Sequence, residues 1–376
     1  MFIIEEKYKL NRVIEQSTSH TLLNTKKHFE ILDGLRGVAA IAVVIFHFME
    51  IAILDYSNNF IAHGYLAVDF FFCLSGFVIA YAYDTRAKDI GLKQFFKLRL
   101  IRLHPLVIIG SILGLLTFLF DPFSNLYAIY GFGKTAMIFL SSIFLIQYPV
   151  VEERFFNLFN LNAPSWSLFW EYIANILYII VLYKIGKKYL WILVSIAAAI
   201  IIYVAINSTN LSGGWGGASF WDGGARVFYS FLAGMLVYRS NWIIKNKLGF
   251  LGISILLLLA FLMPYSKDFN WISEPLIVLI YFPFLVALGA GATLSPSVKK
   301  ICQLSGEISY PLYMTHYPFI WIFLTFVMTT KPSMNILVWI IPISVVVLIA
   351  IAYLVMVMLD IPIRKYLKEK WLKTNP

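Results

Sequence analysis

The chain has 376 residues, of which 60% are hydrophobic, 17% aromatic and only 13% charged, with a mean hydropathy of +0.79. A soluble domain carries about 25% charged residues, so this composition excludes an ordinary soluble domain and points to a polytopic membrane protein. The formal charge of +10 first suggests an anionic partner such as nucleic acid; in a membrane protein the commoner cause is Lys and Arg gathered in cytoplasmic loops, and no nucleic-acid partner is expected.

In chain order, residues 1–29 lack the apolar core of a signal peptide and read as a polar cytosolic arm. Apolar runs near the length of a span follow at about 35–54, 64–83, 104–120, 135–149, 165–184, 190–206, 225–238, 248–264, 275–293, 308–327 and 336–359. The membrane domain is therefore 30–364, with 365–376 a basic cytosolic tail. If the basic clusters at 86–102, 184–188, 239–247, 299–300 and 364–373 all face the cytosol, an even number of crossings must separate them. The run 135–149 breaks that rule. It is short and carries Ser141 and Ser142, so it is expected to be re-entrant or interfacial within an outer region 121–164. The expectation is an all-α bundle of about ten membrane helices with both termini cytosolic, and with only Lys134, Arg154, Arg226, Lys267 and Lys331 among the basic residues outside. Cys73 and Cys302 form no disulfide framework, and no metal-ligand spacing is present, so no metal is expected. The Gly-rich stretch 212–224, with Trp215, Phe220 and Trp221, suits either a sugar-stacking loop or an interfacial aromatic anchor.

Ionisable groups inside spans are costly and mark function by default. Here they are Arg36, His47, Asp69, Glu171, His316 and Asp360. Arg36 and His47 stand eleven residues apart on the first span, which puts them on one face about 16 Å apart along the axis. The topology sets Arg36 at the cytosolic end and His47 in the outer half. His47, Asp69 and Glu171 are expected to converge there, with His316 below them. Asp360 and Arg364 are expected to pair at the inner face. In the basic loop 86–102, Arg99 and Arg102 share a helical face and suit a bidentate grip on phosphate. Each has a plainer reading: Arg36 snorkelling, Asp69 capping, the arginines meeting lipid headgroups.

A cationic inner vestibule below a histidine and carboxylates fits two classes of function. One is a non-enzymatic carrier, for example an exporter of a glycosylated or acylated lipid. The other is an enzyme that takes a phosphate-bearing donor such as acyl-CoA from the cytosol and acylates an outward hydroxyl, with histidine as the base. A serine-nucleophile triad is unsupported, because Ser75 in CLSGF has only one flanking glycine.

These residues resemble the acyltransferase-3 family of integral-membrane O-acyltransferases. The resemblance runs through Arg36 and His47 within LDGLRG…H, VDFFFCLSGFVIAY (68–81), KLRLIRLHP (97–105), PSWSLFWEYIANILY (164–178), RVFYSFLAGMLVY (226–238) and GEISYPLYMTHYPF (306–319). It implies a ten-helix fold, acyl-CoA as co-substrate with no bound cofactor, and a hydroxyl acceptor. It implies His47 as the catalytic residue and Arg36, Arg99 and Arg102 as donor-binding residues; from their placement, Asp69 or Glu171 is expected to orient His47. Ser75, Trp166, Tyr310 and His316 are candidates for supporting roles. The chain departs from the family at Asp360-Ile361-Pro362, where Glu-x-Pro is frequent, and at Tyr172, where a second Glu is frequent. It resembles the stand-alone form, without an extracytoplasmic hydrolase-like domain. The expected protein is a bacterial inner-membrane O-acetyltransferase. Its expected acceptor is a free or lipid-linked glycan such as lipopolysaccharide O-antigen, exopolysaccharide or capsule.

Overall fold

The computed structural model describes residues 29–372. The polar arm 1–29 lies outside the described residues apart from Phe29, as do residues 373–376 of the tail. Each apolar run contains a helix, though the run 135–149 is helical only in its first part. The helices are α1 (Glu30–Ala52), α2 (Ala67–Tyr83), α3 (Ala87–Leu119), α4 (Leu126–Ile143), α5 (Ser165–Leu177), α6 (Lys187–Ser208) and α7 (Phe220–Arg239). They continue as α8 (Gly249–Phe261), α9 (Asn270–Leu276), α10 (Phe282–Gly291), α11 (Pro296–Thr315), α12 (Tyr317–Thr330), α13 (Met334–Val355) and α14 (Ile361–Leu372). Single π-helical turns join α9 to α10 and α13 to α14. Among the described residues eight helical segments are long and apolar enough to cross a membrane, or nine with α11 and α12, which meet at a 50° bend. The fold is an all-α polytopic membrane bundle.

Burial patterns sort the helices. On α13 only Leu337, Ile341, Val345, Leu348 and Ala352 are buried, a stripe at helical spacing, while Trp339, Ile343 and Val346 face outward. That is the pattern of a helix at the rim, with lipid as its solvent. By contrast, α1, α2 and α7 are buried on several sides. Two close helix pairs hold this centre together through glycine. A Cβ on Gly76 of α2 would stand 1.9 Å from the Phe231 carbonyl oxygen of α7, and one on Gly234 of α7 would stand 1.9 Å from that of Cys73. A Cβ on Gly37 of α1 would likewise meet Ser305 of α11 at 1.9 Å. Backbones that approach this closely exclude side chains at the crossing.

Two expectations change. The basic stretch 86–102 is not a loop. It is the first half of the 33-residue α3, which is interrupted only at Gly91 (φ 69°) and runs on through Pro105. Proline removes a single backbone donor, a loss that a buried membrane helix tolerates. The run 135–149 is helical only to Ile143, within α4, whose regular turns break at Gly131 (φ 66°). After Ile143 the chain has only one short helical turn, Glu152–Arg154, before α5. That stretch is tied to the Gly-rich loop by Leu158 N–H donating to the Trp215 carbonyl at 3.0 Å. Within it Arg154 is buried rather than being a free outer charge. It donates to the Asn160 carbonyl at 2.7 Å and sits over the Phe118 and Trp321 rings.

Candidate active site

Two cavities open along α1, one near each end. The first, about 530 Å³, is lined by Arg36, Arg99, Arg102 and Arg364, with Ser75, Glu171, Tyr310 and Asp360. The second, about 770 Å³, is lined by His47, Glu50, Tyr56, Trp166, Trp215 and Arg226, among other residues. We refer to them as the basic chamber and the histidine chamber.

In the basic chamber the arginines are held in different ways. Arg36 donates from Nε to Ser309 Oγ at 2.9 Å and from NH2 to the Gly306 carbonyl at 2.8 Å, and it pairs with Asp33 at 3.1 Å. These bonds exist because Gly306 and Ser309 of α11 lie against the Gly37 turn of α1. Arg99 pairs with Glu171 Oε1 at 2.9 Å, and its buried Nε has no partner. Arg102 is exposed and has no ion-pair partner among the described residues. Arg364 and Asp360 pair at 2.5 Å, as the sequence suggested, with Arg364 Nε left over. Guanidinium N–H groups without partners are costly unless something anionic meets them. Tyr310 donates to the Leu103 carbonyl at 2.7 Å and ties α11 to α3.

In the histidine chamber, His47 Nδ1 lies 2.6 Å from Glu50 Oε1, one turn along α1. Tyr56, in the link after α1, donates to Glu50 Oε2 at 3.1 Å. Burial, and then the charge of Glu50, push the Tyr56 hydroxyl above its ordinary pKa, so it stays protonated as a donor. A carboxylate on Nδ1 fixes the proton there and leaves Nε2 as the basic nitrogen. The His47 ring stacks on His316 at 5.4 Å, with 22° between planes, and meets the edge of Tyr317 at 4.8 Å. His316 is buried where the chain bends between α11 and α12. Its Nδ1 lies 3.0 Å from the Leu312 carbonyl, and its Nε2 has no partner.

The expected convergence of His47, Asp69 and Glu171 is not what the helices form. Glu171 faces the basic chamber, 3.5 Å from Ser75 Oγ and paired with Arg99. Asp69 is fully buried and clasped by Arg226, with NH2 2.6 Å from Oδ2. Arg226 is itself buried. It also donates to the Tyr65 and Gly213 carbonyls at 3.0 and 2.7 Å and lies over Trp166. His316 lies beside His47 rather than below the cluster. The carboxylate that reaches His47 is Glu50, which is not among the sequence candidates. Its i,i+3 spacing from His47 was the available signal.

The acyltransferase-domain family profile matches residues 29–357. The chain belongs to the acyltransferase-3 family. It is 24% identical over 375 aligned residues to the peptidoglycan O-acetyltransferase OatA of Listeria monocytogenes, an alignment covering 91% of this chain and 56% of that protein. It is 25% identical over 319 residues to a putative O-acetyltransferase of Staphylococcus aureus, covering 76% of this chain and 50% of the relative. It is also 33% identical over 165 residues to "Protein 2 in picA locus" of Rhizobium radiobacter, covering 40% of this chain and 81% of that protein. The chain thus spans about half the length of the two O-acetyltransferases it matches. No solved structure matches it significantly. Arg36 and His47, which carry the sequence resemblance on α1, line the two separate chambers.

Proposed function

We propose that this membrane acyltransferase moves an acyl group, most simply acetyl, from acyl-CoA to a hydroxyl of a surface glycan such as O-antigen, exopolysaccharide or capsule. The observation that carries the reading is the division of one helix between two chambers, with arginines in one and the Glu50–His47 pair in the other. The nucleotide phosphates of the donor meet Arg99, Arg102 and Arg36, and Arg364 adds a donor that the sequence did not single out. The thioester arm extends along α1 toward His47, about 16 Å from Arg36.

At the far end His47 Nε2 takes the acceptor proton as the acceptor oxygen attacks the thioester carbonyl carbon. The carbon–sulfur bond breaks, and the thiolate leaves and recovers the proton. Glu50 holds Nδ1–H and stabilises the imidazolium while it lasts. Trp166, Trp215, Tyr56, Tyr317 and Trp321 give the histidine chamber the flat apolar faces that suit a sugar ring. The basic chamber faces the cytosol of a bacterium in this reading, with the chain in the inner membrane and both termini cytosolic, because the positive-inside bias falls at that end.

The test is acetyl transfer in membranes supplied with labelled acetyl-CoA. Label should pass to a glycan with the protein present and not with His47→Ala, at equal protein level. Glycan export without any donor dependence would instead support a non-enzymatic carrier.

A further inference from the structure

The two chambers share two lining residues, Val68 of α2 and Tyr313 of α11. Val68 and Tyr313 are 7% and 8% exposed, so each presents only a small face to the space on either side. The geometry points to Tyr313 as the movable wall between the chambers, which a donor arm must displace to reach His47 and which otherwise keeps water at the histidine from the thioester.

Three features make Tyr313 the movable part. Its ring packs edge-on against Phe71 of the basic chamber at 5.7 Å and lies 6.0 Å from the His316 ring, which stacks on His47. It thus bridges the aromatic contacts of both chambers. Its hydroxyl is 2.8 Å from Ser167 Oγ, and Ser167 already donates its one proton to the Pro164 carbonyl at 2.8 Å. Tyr313 is therefore the donor in a single latch bond, the kind that one rotamer change breaks. It also lies three residues before His316, where the helix bends by 50° ahead of Pro318. Val68, by contrast, is fixed by its neighbour Asp69 in the buried Arg226 clasp.

The wall itself is testable without any acyl transfer; only its meaning for catalysis rests on the donor placement proposed above. Cys73 and Cys302 are replaced by alanine, and Val78, which lines the basic chamber, is replaced by cysteine. A small charged methanethiosulfonate is then applied to sealed membranes from one face at a time. With Tyr313 present, Val78→Cys should react from the basic-chamber face only. With Tyr313→Ala, reaction from the opposite face should rise at least about tenfold, because a close-packed wall is exchanged for a hole the size of a phenol ring. Tyr313→Phe keeps the ring and loses only the latch, so it should stay near the parent. Should Tyr313→Ala fail to accumulate, Val68→Ala trims the same wall and should open the same route. Equal labelling from the opposite face in parent and Tyr313→Ala, whether high or absent, overturns the inference.

A second arm separates the two ideas. In Tyr313→Ala, acetyl-CoA should be hydrolysed without acceptor: water adds to the thioester carbonyl, the carbon–sulfur bond breaks, and acetate and thiol leave. Labelling that changes as described while no variant, parent included, consumes acetyl-CoA would leave the wall standing and remove the donor reading.

Discussion

Glu50 and His47 lie one helical turn apart on α1, with Oε1 2.6 Å from Nδ1, and no other carboxylate among the described residues bonds to that ring. The pair is built within one element. Its geometry therefore does not depend on helix docking in the way that an Asp69 or Glu171 partner would.

Glu50→Ala should lower acetyl transfer by about 10²-fold, within the range for losing the group that orients a general base. Glu50→Gln keeps an acceptor oxygen for Nδ1–H and loses the charge, so its loss should be smaller. Tyr56→Phe, which removes one bond to the far oxygen, should be milder still. Initial rates in proteoliposomes give the ranking, and a Glu50→Ala rate equal to the parent's would exclude Glu50 from the chemistry.

Arg102 and Arg99 should separate in their effects. Arg102→Ala removes an exposed charge with no ion-pair partner among the described residues, so it should raise the KM for acetyl-CoA severalfold and leave thermal stability unchanged. Arg99→Ala also strands Glu171, so it should cost both donor affinity and stability. A KM titration and a melting curve on the same two preparations distinguish them. Identical melting losses would contradict the assignment of partners.

Asp69→Asn should destabilise without touching the base. Breaking a buried ion pair costs about 3–5 kcal/mol, because the remaining charge has nowhere to go. Arg226 would keep its carbonyl partners, Tyr65 and Gly213, and one neutral amide oxygen in place of the carboxylate. Replacing both residues, as Asp69→Leu with Arg226→Met, should recover much of the loss. Detergent-solubilised melting temperatures measure this, and a double variant worse than either single one would argue that Asp69 and Arg226 do more than brace the chamber.

Gly76→Ala and Gly234→Ala should each lower the melting temperature, since each new Cβ would stand 1.9 Å from a carbonyl oxygen across the α2–α7 crossing. Overpacking of this kind costs about 1–3 kcal/mol. Gly133→Ala is the control, because a Cβ there meets nothing within 4 Å. Equal tolerance at all three sites would mean that α2 and α7 do not pack as closely as described.

Much of the site was legible because its signals are local. Hydrophobic runs of span length mark helices whatever their neighbours, and every run but 135–149, which leaves its helix at Ile143, is mostly helical in the fold. Arg36 and His47 sit on one helix, and helical periodicity sets their shared direction and spacing before any packing is known. The Asp360–Arg364 pair is local in the same sense. The run 104–120 marks only the second half of α3, because the charged turns from Ala87 onward carry no apolar signal and the helix passes through Pro105.

The sequence alone determined a polytopic helical protein and the shared face of α1 on which Arg36 and His47 stand toward opposite ends. Only the tertiary structure decided which charges meet across helices. Arg99 takes Glu171, Arg226 takes Asp69, and Glu50 is left to His47. The physical reason is that a polar group in a bundle must find a partner, and several partners of the right sign stand within each sequence pattern. Which one is reached depends on the rotation and depth of helices fixed by crossings such as Gly76 with Phe231 and Gly37 with Ser305, and those contacts join residues far apart in the chain.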